Sequence, residues 1–342
     1  MDRQAETPAP FWRRIDETRV QCEVCPHRCR LSEGERGRCF AREARDGRVV
    51  LGTYGRVSSV SDDPIEKKPL YHFLPGTRTL SIGTVGCNLS CRFCQNWSIS
   101  KPMDLRALRA TLTPDQVAAL AVESRCPSVA FTYNEPIVSL EYVRDTARAC
   151  RDRGLRTVAV TAGYVAGAAR RAFFEVMDAA NVDLKAIRDG FYRRLCGARI
   201  APVLETLRYL REETDVWIEV TQLVLPDEND ADEDLAASAA WCVANLGPDT
   251  PLHFSAFYPA FRLTDHRPAD ARLLVHAGAI ARQQGACHVY LGNVNVSGGG
   301  DTYCATCGVT LMRREGFALV ERRIDRDGRC PDCGAVCPGV FR

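Results

Sequence analysis

Lysine is nearly absent from this 342-residue chain: Lys67, Lys68, Lys101 and Lys185 are the whole complement, although lysine and arginine together number 45. Almost all the positive charge is therefore guanidinium, and that bias by itself carries no functional assignment. Net charge is also lacking, because 45 basic residues face 43 acidic ones. A balance of +2 argues against bulk nucleic acid or an anionic membrane as the partner. No apolar run reaches the roughly 20 residues of a bilayer span. The stretch Met1–Trp12 has no basic segment followed by an apolar one, so no signal peptide is expected and the expected location is cytoplasmic. No fixed-period repeat is present. Hydrophobic residues at 46% and charged residues at 26% are ordinary for a globular chain with a large core.

What the chain does have is cysteine, 17 of them. Disulfides are rare in a reducing compartment, so many of these thiols are expected to be metal ligands or buried groups. Twelve fall into clusters: Cys22, Cys25, Cys29 and Cys39; Cys87, Cys91 and Cys94; Cys304, Cys307, Cys330, Cys333 and Cys337. The isolated Cys126, Cys150, Cys196, Cys242 and Cys287, and Cys337 with them, read as small buried hydrophobes.

Between the second and third clusters, β-branched apolar runs alternate with stretches of helical period. The runs lie near Leu80–Val85, Ser128–Thr132, Thr157–Thr161, Val182–Leu184, Val216–Val224, Leu252–Phe257 and His288–Leu291. Thr113-Pro114-Asp115-Gln116 is a helix start with a capping box, and helical stretches follow at 137–153, 167–179, 201–213, 232–246 and 268–284. Such repeats predict an α/β fold, a parallel sheet with right-handed crossovers in a β/α barrel or a doubly wound sheet, and their number matches an open, partial barrel better than a closed one. The reading divides the chain into a cysteine-rich segment at 1–75, the barrel at 76–296 and a metal-binding extension at 301–342. A hairpin is expected around Val49–Val60 with Gly52 and Gly55 in its turn, and Ser297–Gly300 reads as a linker.

Cys87-Asn-Leu-Ser-Cys91-Arg-Phe-Cys94 follows the strand at Leu80–Val85. Three thiolates on one loop can hold three irons of a [4Fe–4S] cluster and leave the fourth without a protein ligand, where something else binds. The position after a strand is also where α/β barrels place their active sites. Cys304-x2-Cys307 and Cys330-x2-Cys333, joined by a hairpin over Leu311–Ile324, read as a zinc ribbon. Its Arg313, Arg314, Arg322, Arg323 and Arg326 read as a solvated face. Cys22, Cys25, Cys29 and Cys39, with His27 among them, suffice for zinc or for an auxiliary iron–sulfur cluster, and spacing does not choose.

The Cys-x3-Cys-x-aromatic-Cys pattern resembles the radical S-adenosylmethionine (radical SAM) superfamily, in its pyruvate formate-lyase activating enzyme-like branch. The resemblance implies a [4Fe–4S] cluster on Cys87, Cys91 and Cys94 and SAM on its open iron, reductively cleaved to a 5′-deoxyadenosyl radical that abstracts hydrogen from a substrate. It implies Phe93 against the adenine. Tyr133-Asn134-Glu135-Pro136 stands where the family has Gly-Gly-Glu-Pro, Thr161-Ala-Gly163 resembles its Thr-Asn-Gly turn, Asp183-Leu-Lys185 its Asp-x-Lys pair, and His253 its ribose contact. Glu66-Lys-Lys-Pro-Leu-Tyr-His72-Phe, Cys94-Gln-Asn-Trp97, Phe131–Pro136 and His253–Pro259 together resemble the radical SAM component of the AmmeMemoRadiSam system. AMMECR1-like and Memo-like partners and a low-potential donor of flavodoxin or ferredoxin type follow from that resemblance. Pro226-Asp227-Glu228-Asn229-Asp230 departs from the relatives' Pro-Gly-x-Asn-Asp. Two other readings compete: an activating enzyme for a glycyl radical enzyme, and a metal-stabilised protein that binds or modifies RNA. Tyr133, Asn134, Tyr164 and His72 are expected to line the substrate side.

Overall fold

The computed structural model describes residues 7–101 and 110–342, so residues 1–6 of the stretch read for a leader lie outside the described residues. The seven apolar runs become strands of one eight-stranded sheet, which the polar segment Ser59–Pro64 completes: β1 (Ser59–Pro64), β2 (Arg78–Gly83), β3 (Ser128–Phe131), β4 (Arg156–Thr161), β5 (Ala179–Asp183), β6 (Trp217–Val224), β7 (Leu252–Ala256) and β8 (Val289–Gly292). They lie side by side in sequence order, β2 to β8 parallel and β1 antiparallel against β2. No ladder joins β8 to β1 among the described residues, so the barrel is open. Helices α1 (Pro114–Glu123), α2 (Leu140–Arg151), α3 (Gly167–Phe174), α4 (Ala201–Glu213), α5 (Asp232–Leu246) and α6 (Ala271–Gln283) fill the six crossovers. β3 is buried along its length because helices cover one face and the barrel interior the other. The α1 capping box is formed, with Thr113 Oγ1 accepting from the Gln116 amide at 3.2 Å and Gln116 Oε1 accepting from the Thr113 amide at 2.9 Å. No helix of the described residues is long and apolar enough to cross a membrane.

Three expectations shift. The hairpin is formed by Arg42–Arg45 and Arg48–Leu51, not around Val49–Val60. Its turn is Asp46-Gly47, with φ of 51° and 67°. Two left-handed residues suit the right-handed twist of a two-residue hairpin, and Asp-Gly adopts them readily. β1 belongs to the barrel sheet although it precedes residue 76, the boundary drawn from sequence. Ser297–Gly300 is no free linker: the Leu291 amide donates to the Gly299 carbonyl at 2.8 Å, and Arg314 donates to that of Gly300 at 2.9 Å.

The N-terminal mouth of the barrel is polar and closed. Glu219 on β6 is fully buried and accepts hydrogen bonds from the amides of Tyr71 (3.0 Å) and His72 (2.8 Å), from Trp217 Nε1 (3.0 Å) and from His253 Nε2 (2.7 Å). The C-terminal hairpin, β9 (Thr310–Glu315) and β10 (Ala318–Arg322), lies against this end. Arg314, expected on a solvated face, is instead buried: its side chain and that of Glu66 are both 0% exposed, with Nε 3.5 Å from Glu66 Oε1. It also donates to the Tyr71 carbonyl at 2.8 Å and stacks over the Tyr71 ring. The tail adds two backbone bonds of 2.7 Å, Val340 to His72 and Leu74 to Val340.

Arg314→Ala leaves the Glu66 carboxylate buried without its cation, so a loss of about 3–5 kcal/mol is expected in urea unfolding. The exposed neighbour Arg313→Ala is expected to stay within about 0.5 kcal/mol. Burial, with His288 adding to it, holds His72 down to about 3, and burial also lowers His288. Both are neutral when folded and take protons when unfolded, so stability is lost as pH falls below about 6.5, by up to ~1.4 kcal/mol per pH unit for each histidine. Urea midpoints between pH 7 and 5 measure this, and His288→Phe is expected to flatten the slope.

Candidate functional site at the C-terminal ends of the strands

Beyond Gly83 the chain leaves β2 through Thr84, Val85 and Gly86 into the cysteine loop. Gly86 has φ of +88°, and a Cβ there would stand 2.1 Å from the Cys39 carbonyl oxygen, so only glycine fits. The loop is braced from three sides. Asn134, after β3, accepts from the Thr84 amide at 2.9 Å and donates to Thr84 Oγ1 and the Gly86 carbonyl, both at 2.9 Å. The amides of Ser90 and Arg92 donate to the carbonyls of Cys196 (2.7 Å) and Leu195 (2.9 Å), and Lys101 Nζ donates to the Leu89 carbonyl at 3.0 Å. Local spacing sets the thiols together; these long-range bonds hold the loop in place without a metal.

Cys87, Cys91 and Cys94 open onto a cleft of about 420 Å³ at the C-terminal ends of the strands, where barrels of this class do chemistry. Of the residues singled out from sequence, Phe93, Asn134, Glu135, Thr161, Asp183 and Lys185 line the same cleft. Glu135 is buried, and its carboxylate accepts from Thr161 Oγ1 (2.6 Å), the Ala162 amide (2.8 Å) and the Ile137 amide (3.2 Å). Burial raises it to about 7 against these neutral donors, so a cation delivered from the cleft would restore its charge. Burial opposes the charge on Lys185, but Asp183, 3.0 Å away, and the thiols of Cys91 and Cys196 outweigh it and raise its pKa. A hydrogen bond from Cys196, with help from Lys185 and Lys101, draws the Cys91 thiol below the usual range. Cys196 itself is fully buried in the core, as read from sequence.

Tyr133 takes the place of a glycine and keeps a glycine's backbone, with φ of +71°. Its hydroxyl donates to Asp63 at 2.6 Å and Lys68 lies over its ring, which offsets the strain. Asp227 is likewise left-handed, at φ +66°. Sequence reasoning assigned only Lys185 among the four lysines, yet Lys67 and Lys68 also line the cleft and Lys101 braces its loop. Scarcity was the available signal. Asn229, also missed, is buried and ties the Lys185 and Leu223 carbonyls to the Leu225 amide at 2.7–2.9 Å.

Four residues stand elsewhere. His253 does not line the cleft; it lies near the start of β7, bonded to Glu219 in the opposite mouth, because strand direction puts its second residue at that end. Gly163 is buried behind the cleft wall against Val182 and Thr206. Tyr164 packs on His27 with ring centroids 5.2 Å apart, and His72 is at the closed end.

The thiols of Cys304, Cys307, Cys330 and Cys333 all lie within 4.8 Å of one another, with contacts of 3.6 and 3.7 Å. A tetrahedral ion with metal–sulfur bonds of about 2.3 Å holds its sulfurs about 3.8 Å apart, so this set fits a single ion. Cys87, Cys91 and Cys94 do not meet that 4.8 Å limit together. Wider spacing fits a cluster that binds each thiolate through a separate iron. Cys337 does not behave as an isolated hydrophobe, since it forms a second such group with His72 and His288.

Asn134→Ala removes three hydrogen bonds that hold the cysteine loop. A stability loss of about 2–3 kcal/mol and faster amide exchange at Thr84 and along the loop are expected, read by urea unfolding and hydrogen-exchange mass spectrometry.

Comparison with known proteins agrees with this geometry. The model of the Radical SAM superfamily matches residues 81–239. An uncharacterized protein of Methanocaldococcus jannaschii is 40% identical over 328 residues, 95% of this chain and 97% of that one. The pyruvate formate-lyase 1-activating enzyme of Escherichia coli K12 is 28% identical over 171 residues, 46% of this chain and 65% of that enzyme. In fold, the chain resembles a radical SAM methyltransferase from Sphaerobacter thermophilus at TM-score 0.50 and 16% identity, over 89% of this chain and 81% of that one. The matched span runs from β2 through the cysteine loop into α5, across most of the strand ends that build the cleft, and over that span the chain matches the radical SAM superfamily.

Proposed function

We propose that this chain reductively cleaves S-adenosylmethionine at a [4Fe–4S] cluster held by Cys87, Cys91 and Cys94, and that the radical formed abstracts hydrogen from a further substrate. One observation carries the reading: an incomplete set of three thiols faces a cleft whose wall holds a buried carboxylate with neutral donors alone. Bound there, cluster and SAM together supply the chemistry: one electron enters the sulfonium, the S–C5′ bond breaks, and methionine and a 5′-deoxyadenosyl radical result. Glu135 takes the methionyl ammonium, whose charge its burial calls for. Lys185, oriented by Asp183, takes the methionyl carboxylate. Phe93 packs on the adenine, and Thr161 orients Glu135 through their 2.6 Å bond. Asn134 acts on the loop, since its amide is spent on Thr84 and Gly86. Neither His253 nor Gly163 has a part in this assignment.

The reading extends to membership of the AmmeMemoRadiSam system, with AMMECR1-like and Memo-like partners and a flavodoxin- or ferredoxin-type donor. It takes the C-terminal ion for zinc with a structural role, because the segment's own core is small and its sulfur spacing is tetrahedral. Work in a reducing cytoplasm suits a chain whose 17 cysteines are all free thiols. A second reading, activation of a glycyl radical enzyme by abstraction from a backbone glycine, draws on the likeness to the E. coli activating enzyme over 171 residues.

Anaerobically reconstituted protein with dithionite and SAM is expected to release 5′-deoxyadenosine, and Cys91→Ala to reduce it to background, measured by liquid chromatography. Glu135→Gln is expected to lower the yield about tenfold, one charge-assisted hydrogen bond of ~1.5 kcal/mol. An intact cluster that yields no 5′-deoxyadenosine ends the proposal. A glycyl radical doublet in electron paramagnetic resonance of mixtures with a candidate partner selects the second reading.

A further inference from the structure

The N-terminal cysteines line a pocket of their own. Cys22, Cys25, Cys29 and Cys39 surround a small pocket, closed in by Val24, Val138 and Arg42. Two observations bear on its occupant. First, no three of these thiols lie within 4.8 Å of one another, although the ribbon thiols of the same chain do. One protein thus contains both a set packed for a single tetrahedral ion and a set spread wider, as the thiolates of an iron–sulfur cluster are. Second, Arg42 lines this pocket with its side chain 1% exposed, and although its Nε donates to the Val138 carbonyl and another nitrogen pairs with Glu141, its Nη1 is buried with no partner. A buried guanidinium N–H without an acceptor points to an anionic body beside it.

The pocket also adjoins the cleft. Asn88, inside the Cys87–Cys94 loop, lines it, and its carbonyl accepts from His27 Nε2 at 2.8 Å. The Cys39 carbonyl presses on Gly86, the residue before Cys87. Cys25 and Cys29 are half-buried, whereas Cys22 and Cys39 are buried. The four thiols therefore span the distance from the surface to a wall shared with the radical site.

We infer that Cys22, Cys25, Cys29 and Cys39 hold a second [4Fe–4S] cluster that relays single electrons to the one at Cys87–Cys94. One electron leaves a reduced flavin or iron–sulfur donor protein, reduces the outer cluster by one unit and passes to the inner one; no bond or proton changes hands. The relay rests on the proposed function, whereas the identity of the outer cluster does not.

The test uses full-length protein reconstituted anaerobically with iron and sulfide. The Cys87→Ala/Cys91→Ala/Cys94→Ala variant is expected to retain about four irons and one zinc per chain, with the Mössbauer spectrum of a [4Fe–4S] cluster. About two zincs and almost no iron overturn the inference. Should that variant not fold, wild type decides: about eight irons and one zinc support it, about four irons and two zincs overturn it. For the relay, Cys25→Ala/Cys29→Ala is expected to slow reduction of the remaining cluster by reduced flavodoxin at least tenfold, and an unchanged rate removes the relay. Protein with about eight irons that makes no 5′-deoxyadenosine sinks the proposed function and leaves the outer cluster standing.

Discussion

A loop that offers three thiols and no fourth must be positioned by something other than the group it binds, and the rest of the site follows from that constraint. The amide of Asn134, the ammonium of Lys101 and the carbonyls of Leu195 and Cys196 hold the loop from different parts of the chain. Each bond is modest by itself, but together they fix a segment that has little core of its own. The cleft then inherits its shape from the strand ends. Parallel strands in sequence order bring Glu135, Thr161, Asp183 and Lys185 to one rim, although more than forty residues separate the loop from the first of them.

The two ends of the barrel divide the labour. The C-terminal end is open and carries groups that want a ligand: a carboxylate with neutral donors, a lysine beside a single aspartate, thiols facing a cleft. At the N-terminal end the charged groups meet each other instead, with Glu219 taking four hydrogen bonds and Arg314 meeting Glu66. Paired and hydrogen-bonded, these buried charges seal rather than react. The C-terminal hairpin thus acts as a plug that brings Arg314 to the barrel, and the tail beyond it adds the backbone bonds of Val340.

Much of this was legible residue by residue. The strands and crossovers followed from β-branched runs and helical periods, because those patterns report burial directly, and the thiol loop and ribbon followed from short-range spacing. The errors share one cause. His253 and Glu135 both look like polar residues on buried strands; only the direction of the strand and the depth along it put one in the sealed mouth and the other in the cleft. Arg314 sits in an arginine-rich stretch and is indistinguishable in sequence from the exposed Arg313. Lys67, Lys68 and Lys101 lie 84 to 118 residues from Lys185, so their approach to it is invisible until the strands have paired.

By itself the sequence determined the class of fold and the grouping of the cysteines into three sets, since both depend on neighbours a few residues away. Tertiary structure decided which thiols lie close enough for one ion and which lie farther apart. It also decided which polar groups are satisfied, and which end of the barrel is open. Those properties are set by distances between segments remote in the chain, and such distances exist only once the strands have paired.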